Sequence, residues 1–570
     1  MHKRVIHNGK LSYSTFNFQN THTEILQRPH SSCTNKVASL INRGQSRQSI
    51  LLFNQLQNKG TKPTDFLLST VLKGCGNLEA LQQGKQIHCM ILKHGFNVDM
   101  IVMTSLVDMY SKCTCIEESR RVFDEMTDKD VIAMNTMVSG LCRCGLTMEA
   151  MGLFRNMSNR DIGSWNSLIS GLVRNSEGVG ALVLFREMQV EGVKANFLTM
   201  VSVLSVCADL AALVNGKQVH GMVIIHGFEM YRPIGNATLD MYAKCGCMDE
   251  ASLCFGNIVS KNVISWTSLI IGFGKNGLGD EALKAFGQME MKGVVPNKIT
   301  FLGVLYACSH AGLVQEGLKH FNIMINTYCF TPMMEHYTCM VDLLARSGYL
   351  EQALEFIEKK MPVKPDAKLL TALLSSCYFH KNVELAKSVG KRLLELEPRE
   401  AGAYMLLSNF YGQMGDLEGV AQVRRSMMDR GIRKEKACTW IEIDRRVHAF
   451  ESGDKSHPLH RYIHNYLEVL IRKMKANGYV PDTSLVVQNV DEQTKEEMLL
   501  GHSEKLAIGL GLICTSPGAR ITIVKNLRVC VDCHSATMLI SKIEGREIVA
   551  RDLNRFHRFK DGVCSCGNHW

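Results

Sequence analysis

Ser164–Gly171 reads SWNSLISG, and further along the chain Ser265–Gly272 reads SWTSLIIG. Shorter matches surround them: Met109–Cys113 is MYSKC and Met241–Cys245 is MYAKC, while Lys85–His88 is KQIH and Lys217–His220 is KQVH. Self-similarity of this kind decides the fold before any single element is read. Anchored on these matches, units begin near residues 34, 66, 100, 131, 162, 197, 232, 263, 298, 334, 367 and 401, with spacings of 31 to 36 residues. Within Val263–Asn297, apolar residues recur at helical spacing through Ile264, Leu269, Ile270 and Phe273. A turn follows at Gly274 and Gly277. A second run carries Ala282, Leu283, Phe286 and Met289, and Gly293 and Pro296 stop it. Each unit is therefore a helix–turn–helix hairpin that cannot bury its apolar face alone. Stacked hairpins predict an α-solenoid with a long concave face.

Composition agrees. The chain has 570 residues, 46% hydrophobic and 21% charged, which excludes a disordered or collagen-like polymer. Its 65 Lys+Arg against 55 Asp+Glu give +10, a mild basic excess that permits a polyanionic partner. The 21 cysteines in so long a chain, with no apolar leader after Met1, read as reduced thiols, some of them metal ligands. No apolar run reaches a membrane span, since even Val201–Val214 is broken by Asp209, so no membrane partner is expected. Residues 1–37 carry Lys3, Arg4, Lys10, Arg28 and Lys36 against the single acid Glu24, amid Ser, Thr and Asn. That composition predicts an organelle transit peptide over residues 1–33, for the mitochondrion or, alternatively, the chloroplast.

Two repeat families share the period. Tetratricopeptide repeats usually bind peptides; the aromatic–Asn/Thr–x–Leu–Ile start and endings such as Gly293-Val-Val-Pro-Asn297 instead resemble pentatricopeptide (PPR) repeats. Long units at Phe66–Asp99, Phe197–Tyr231 and Lys298–Met333 alternate with short ones at Met100–Asp130, Arg232–Asn262 and Met334–Asp366. This alternation resembles the plant PLS subclass. The resemblance covers residues 34–366 as repeats and 367–435 as E motifs. It implies that one repeat reads one base of single-stranded RNA. The readers would be the fifth residue of the first helix and the last residue of the unit. The pairs are Thr104/Asp130, Asn135/Asp161, Asn166/Asn196, Asn236/Asn262, Thr267/Asn297 and Thr338/Asp366. Hydroxyl and amide groups offer different donor–acceptor patterns to a base edge. By resemblance, Thr reads purines, Asn reads pyrimidines, and the final Asp or Asn separates keto from amino bases. Val201/Tyr231 and Leu302/Met333 of the long units do not fit this scheme and are left unread.

Beyond Lys436 the repeat pattern stops. Residues 436–483 contain His457-Pro458 and Gly478-Tyr479-Val480-Pro481 around an amphipathic helix and resemble the family's E+ and PG-box region. His502-Ser503-Glu504 then opens an apolar helix, Ile521–Val524 reads as a strand, and Cys530-Val-Asp-Cys533 opens a second helix. His-x-Glu, helix, strand and Cys-x-x-Cys at a helix start is the layout of zinc deaminases. One imidazole and two thiolates, His502, Cys530 and Cys533, would hold Zn²⁺ with a position left for water. Glu504 would be the general acid–base and not a ligand. The tail adds His534, His557, Cys564 and Cys566, two imidazoles and two thiolates suited to a closed structural zinc site.

The stretch 484–570, with HSEKLAIGLGLI, VKNLRVCVDCHSATMLISKI and RFHRFKDGVCSCG, closely resembles the DYW domain of plant organelle RNA-editing factors. The resemblance implies a small α/β zinc-dependent cytidine deaminase that makes uridine in a transcript. Departures are Val529, where deaminases have proline, Arg558, where a second histidine is common, and the ending Asn568-His569-Trp570 instead of Asp-Tyr-Trp. The altered tail leaves open an RNA-binding editing factor with a weak or inactive deaminase that recruits catalysis in trans. A solenoid scaffold with a zinc-stabilised cap is the reading from another class. The family also implies small accessory proteins on the long repeats, and no nucleotide cofactor is expected.

Overall fold

The computed structural model describes residues 30–570 except 397–400, 434–435, 445, 484–485, 487–489, 553–554 and 567–570. Nearly all of the expected leader, and the Asn568-His569-Trp570 ending, lie outside the described residues. The chain forms two compact units, divided after Asn159.

The first unit is four helix pairs, His30–Asn42 with Ser46–Asn58 through Val131–Arg143 with Thr147–Arg155. The second opens with the same motif and carries it to Leu417–Asp429. First helices begin at 162, 197, 232, 263, 298, 334, 367 and 401, where the repeat spacing places them. The α-solenoid is thus the architecture of the array. Its polar punctuation is visible residue by residue. Asp130, Asp161, Asn196, Asn262, Asn297 and Asp366 each sit at a helix N-cap and accept a bond from the backbone N–H three residues on. Turns between paired helices take a left-handed residue, as at Gly246 (φ +73°) and Gly277 (φ +74°), which glycine enters without a Cβ clash.

The motifs that betray the repeat are contacts between units. His220 Nδ1 meets Tyr242 Oη at 3.0 Å, and His88 Nδ1 meets Tyr110 Oη at 2.9 Å. These join the KQ[IV]H helix of one unit to the MY[SA]KC helix of the next. Gly216 lies beneath Met241 so closely that a Cβ would come within 2.4 Å of its sulfur; Gly84 lies under Met109 in the same way.

The second unit ends in an α/β domain. Six strands, β1 (Cys438–Ile443), β2 (Arg446–Glu451), β3 (Ile521–Lys525), β4 (Ile548–Arg551), β5 (Phe556–Lys560) and β6 (Val563–Cys564), form one sheet in the order β2-β1-β3-β4-β5-β6. Among the described residues only β3 and β4 pair in parallel, joined through the helix Val531–Ile543. Helices His460–Ala476 and Ser503–Cys514 share a core with the sheet, including Ile441, Phe450, Leu467, Ile508, Ile523 and Phe559. The 436–483 region thus supplies two strands and a helix to the same core as the motif-bearing stretch. No helix among the described residues is long and apolar enough to cross a membrane.

Candidate functional site

Two helix starts build the first cluster. His502 is the N-cap of Ser503–Cys514, and Cys530 is the N-cap of Val531–Ile543, where its Sγ accepts the Cys533 N–H at 3.4 Å. Here the positive helix end favours sulfur anions. His502 Nδ1 stands 3.3 Å from Cys533 Sγ and 3.5 Å from Cys530 Sγ. A tetrahedral zinc with Zn–S of about 2.3 Å and Zn–N of about 2.0 Å sets an N···S edge near ~3.5 Å, so the donor set fits that ion. Among the described residues no fourth His, Cys, Asp or Glu joins these three. The Cys530 thiol is pushed well up by its bond to Cys533, by burial and by the charge on Cys533. Both sulfurs become thiolates together only beside a cation.

The next residue of the same helix turns to the second cluster. His534, His557, Cys564 and Cys566 are all buried, with ligand atoms within 4.8 Å of one another. His534 Nε2 lies 3.2 Å from Cys566 Sγ, and His557 Nδ1 lies 3.7 Å from Cys564 Sγ. Cys566 is held as a thiolate by the Cys564 thiol and both imidazoles, while Cys564 is pushed up in turn by that sulfur. Four donors of this type suit a closed tetrahedral ion. His557 Nε2 faces Asp552 Oδ2 at 3.5 Å, the carboxylate–imidazole arrangement that orients metal-binding histidines.

Glu504 is buried at 1% exposure on the first turn after His502. Its Oε1 is ion-paired with Lys525 of β3, and its Oε2 accepts from Ser503 Oγ at 3.2 Å. Thr439 of β1 donates to that hydroxyl at 2.9 Å. Burial pushes the Glu504 carboxyl up, but the Lys525 and His502 charges outweigh it and hold the group below its ordinary range. Behind the Cys helix, Asp532 accepts from Lys505 Nζ at 2.5 Å and from Tyr479 Oη at 2.6 Å. Tyr479 is thereby tied to a residue between the two cysteines.

Both departures near the clusters have a local reason. Val529 donates its N–H to Asp552 Oδ2 at 3.4 Å, which proline cannot do. Arg558 lies outside both clusters and pairs with Glu547 at 2.9 Å. Lys505, Lys525, Asp532 and Asp552 escape a motif reading, and Tyr479 is found only as part of Gly478-Tyr479-Val480-Pro481 with no role attached. For the lysines a signal exists: each is a lone charge in an apolar run, KLAIGLGLI and ITIVK.

The expected base-reading residues recur at the same place in their units. Asn166 Nδ2 donates to Asn196 Oδ1 at 3.2 Å, so the two members of that pair touch, and Thr199 Oγ1 donates to Asn166 Oδ1 at 2.7 Å. Asn236 Oδ1 is buried without a hydrogen-bond partner. Thr267 is more enclosed, at 7% exposure, and its hydroxyl bonds Thr300 Oγ1 at 2.8 Å. Thr338 Oγ1 donates back to Met334 O at 3.0 Å. Asp130 caps the next helix through Ala133 N at 2.7 Å.

Residues 478–570 match the profile of the DYW family of nucleic acid deaminases, and residues 380–442 that of the E motif. PPR repeat profiles match 101–131, 129–158, 163–193, 236–263, 261–310 and 335–359. The pentatricopeptide repeat-containing protein ELI1, chloroplastic, of Arabidopsis thaliana is 46% identical over 92% of this chain and 83% of its own length. A second Arabidopsis thaliana relative, At2g22070, is 43% identical over 93% of this chain and 68% of its own. A third, named as mitochondrial, is 38% identical over 92% of this chain and 79% of its own. The crystal structure of the maize pentatricopeptide repeat protein PPR10 superposes with a TM-score of 0.50 at 16% identity, covering 83% of this chain and 65% of that one, a likeness of fold. With relatives matched over two thirds or more of their own length, and with repeats, E motif and terminal domain in agreement, this chain belongs to the pentatricopeptide repeat proteins that carry an E motif and a DYW deaminase domain.

Proposed function

We propose that this protein edits organelle transcripts, converting one cytidine to uridine, with the repeats reading single-stranded RNA and the terminal domain performing the deamination. The observation that carries the reading is the meeting of His502, Cys530 and Cys533, a three-donor set, beside the buried Glu504. Zinc held by those three residues would supply the Lewis acidity that makes water a nucleophile near neutral pH. His534, His557, Cys564 and Cys566 would hold a second, structural zinc.

Deamination adds water across C4 of cytosine and releases the exocyclic amine as ammonia. Glu504 accepts a proton from the attacking water at a carboxylate oxygen and delivers it to ring N3, then takes the second proton from the new C4 hydroxyl and passes it to the departing amine. Lys525 keeps that carboxylate ionised and Ser503 fixes its other oxygen, so the base is ready before substrate arrives. A single-stranded target needs little unstacking to enter the site.

On the array, the pairs from Thr104/Asp130 to Thr338/Asp366 would read 5′-G-U-Y-n-Y-A-n-G-n-n-n-C-3′, with Y a pyrimidine. The edited cytidine stands four nucleotides downstream of the last repeat's base. The organelle is the mitochondrion in this reading, with the chloroplast as alternative; relatives carry both designations. Accessory proteins on the long repeats complete the assembly.

The test is incubation of the purified chain with that RNA, read by sequencing, beside Glu504→Ala. Conversion by wild type alone is expected. Shuffling the designated bases should weaken binding more than shuffling the n positions; equal effects would overturn the register. Glu504 is engaged at both oxygens, and this favours one second reading, a factor that binds the RNA and recruits catalysis in trans. Tight binding without conversion, and rescue of a deletion line by Glu504→Ala, would select it.

A further inference from the structure

The terminal domain lies against the flank of the repeats in its own compact unit, and the charges at that contact follow the polarity of the repeat helices. The last carbonyls of a helix have no intrahelical partner and form its negative end. Arg551, at the end of β4, donates from Nη1 to Ala208 O at 2.7 Å and Asp209 O at 3.2 Å, the final turn of Phe197–Asp209. The same nitrogen reaches Lys244 O at 3.4 Å, the end of Arg232–Lys244. Arg520 Nη2 donates to Gly246 O at 3.1 Å, just past that helix. Two cations thus cap two successive first helices.

The opposite charge meets the opposite helix end. Leu213–Ile225 begins after Ala212, which provides no side-chain cap. Glu442 of β1 takes that role, its Oε2 accepting the Val214 N–H at 3.0 Å across 228 residues. The surfaces are also fitted. At Gly246 a Cβ would lie 2.9 Å from Arg520 Nη2 and 3.3 Å from the Phe556 ring, so the terminal domain occupies the space of a side chain. Further along, Arg528 Nη1 donates to Ser375 Oγ at 2.8 Å.

We propose that Arg520, Arg551 and Glu442 form an intramolecular clamp that docks the terminal domain on the flank of the repeats, fixing its place there by helix-end charge as well as by the covalent path through residues 367–435. The clamp does not depend on the editing reading. It needs only the two parts of the chain to be folded. Its consequence is that the distance between repeats and the His502/Cys530/Cys533 cluster is set by a surface, and substitutions far from either site can change it.

Hydrogen exchange read by mass spectrometry on the full-length chain tests this, with a control inside the molecule. Leu81–His94 begins LQQGKQIH where Leu213–Ile225 begins LVNGKQVH, and its N-cap Ala80 likewise makes no side-chain bond. Gln82 is therefore the counterpart of Val214 without the Glu442 cap. In wild type the amide of Val214 should exchange at least several-fold more slowly than that of Gln82. In Arg520→Ala/Arg551→Ala, which leaves Glu442 and residues 212–216 intact, Val214 should rise to the rate of Gln82 while the interior amides of Phe197–Asp209 stay protected. Glu442→Ala should do the same. Equal rates at Val214 and Gln82 in wild type overturn the clamp, and so does unchanged Val214 protection in the double arginine variant. Should a variant unfold, exposing Phe197–Asp209 as well, the wild-type comparison alone decides.

Discussion

Lys525 shows how a single side chain sets what its neighbour can do. It is nine-tenths buried in β3 and ion-paired with Glu504, and its other charge partners are Cys530 and Cys533. Lys525→Met would strand the carboxylate in an apolar pocket. We expect a loss of about 3 kcal/mol of domain stability, as for other broken buried pairs, measured by denaturant unfolding. The Glu504 carboxyl should move up, because only burial would then remain among its larger influences together with His502. Asp552→Asn acts on the other cluster. It removes the charge facing His557 Nε2, and metal affinity at the His534/His557/Cys564/Cys566 site should fall by about 10- to 100-fold in a chelator competition. At this scale the sequence gives up ligands more readily than their supports. His502, Cys530 and Cys533 stand at fixed spacing, so a motif finds them. Asp532 and Asp552 contact Lys505 and His557 only after the sheet closes, and no local pattern marks them.

Among elements, the repeat is legible because each hairpin must bury the same apolar positions against its neighbours, which forces SWNSLISG and SWTSLIIG to recur. What periodicity hides is that one residue serves two purposes. Asn297 closes a unit as an expected base reader, yet it also caps Lys298–Ala311, with Oδ1 accepting the Thr300 N–H at 2.9 Å. The cap spends one amide atom and leaves Nδ2 for a base. Aspartate caps equally well but presents a second acceptor there, as at Asp130, Asp161 and Asp366. Asn297→Asp should therefore change stability by only a few tenths of a kcal/mol while moving the preferred base at that repeat from A to G. Asn297→Ala should cost about 1 kcal/mol and blunt discrimination altogether. Thermal melts beside binding to RNAs varied at that single base separate the two purposes. The 436–483 region carries no local sign of its place because β1 pairs with β3, Thr439 opposite Lys525, and β2 pairs only with β1, so its membership in the terminal core is a long-range fact.

For the whole molecule, the two kinds of architecture should fail under different conditions. The array is held by apolar packing and caps and contains no metal cluster among its described residues, whereas the terminal domain has both clusters in or beside its core. A chelator should lower the unfolding temperature of the terminal domain and leave the helical signal of the repeats, seen as a split transition in calorimetry. Acid should act on the array as well, through Asp342. This carboxylate, only 14% exposed, accepts from Arg346 Nε at 2.6 Å and Ser309 Oγ at 2.6 Å. Burial pushes its carboxyl up, but Arg346, His310 and the Ser309 bond outweigh burial and hold it below the usual range. A carboxyl lowered on folding binds fewer protons in the native than in the unfolded chain between the two values. Its contribution is thus complete above the unfolded value of about 4 and is lost as pH falls through the folded one. Asp342→Asn should be less stable than wild type at pH 7, and the gap should narrow as pH drops from about 5 toward 2. Loss of metal in acid affects both proteins alike and cancels in the difference, so a gap that stays constant across that range would show that the Asp342–Arg346 pair carries none of the acid sensitivity of the array.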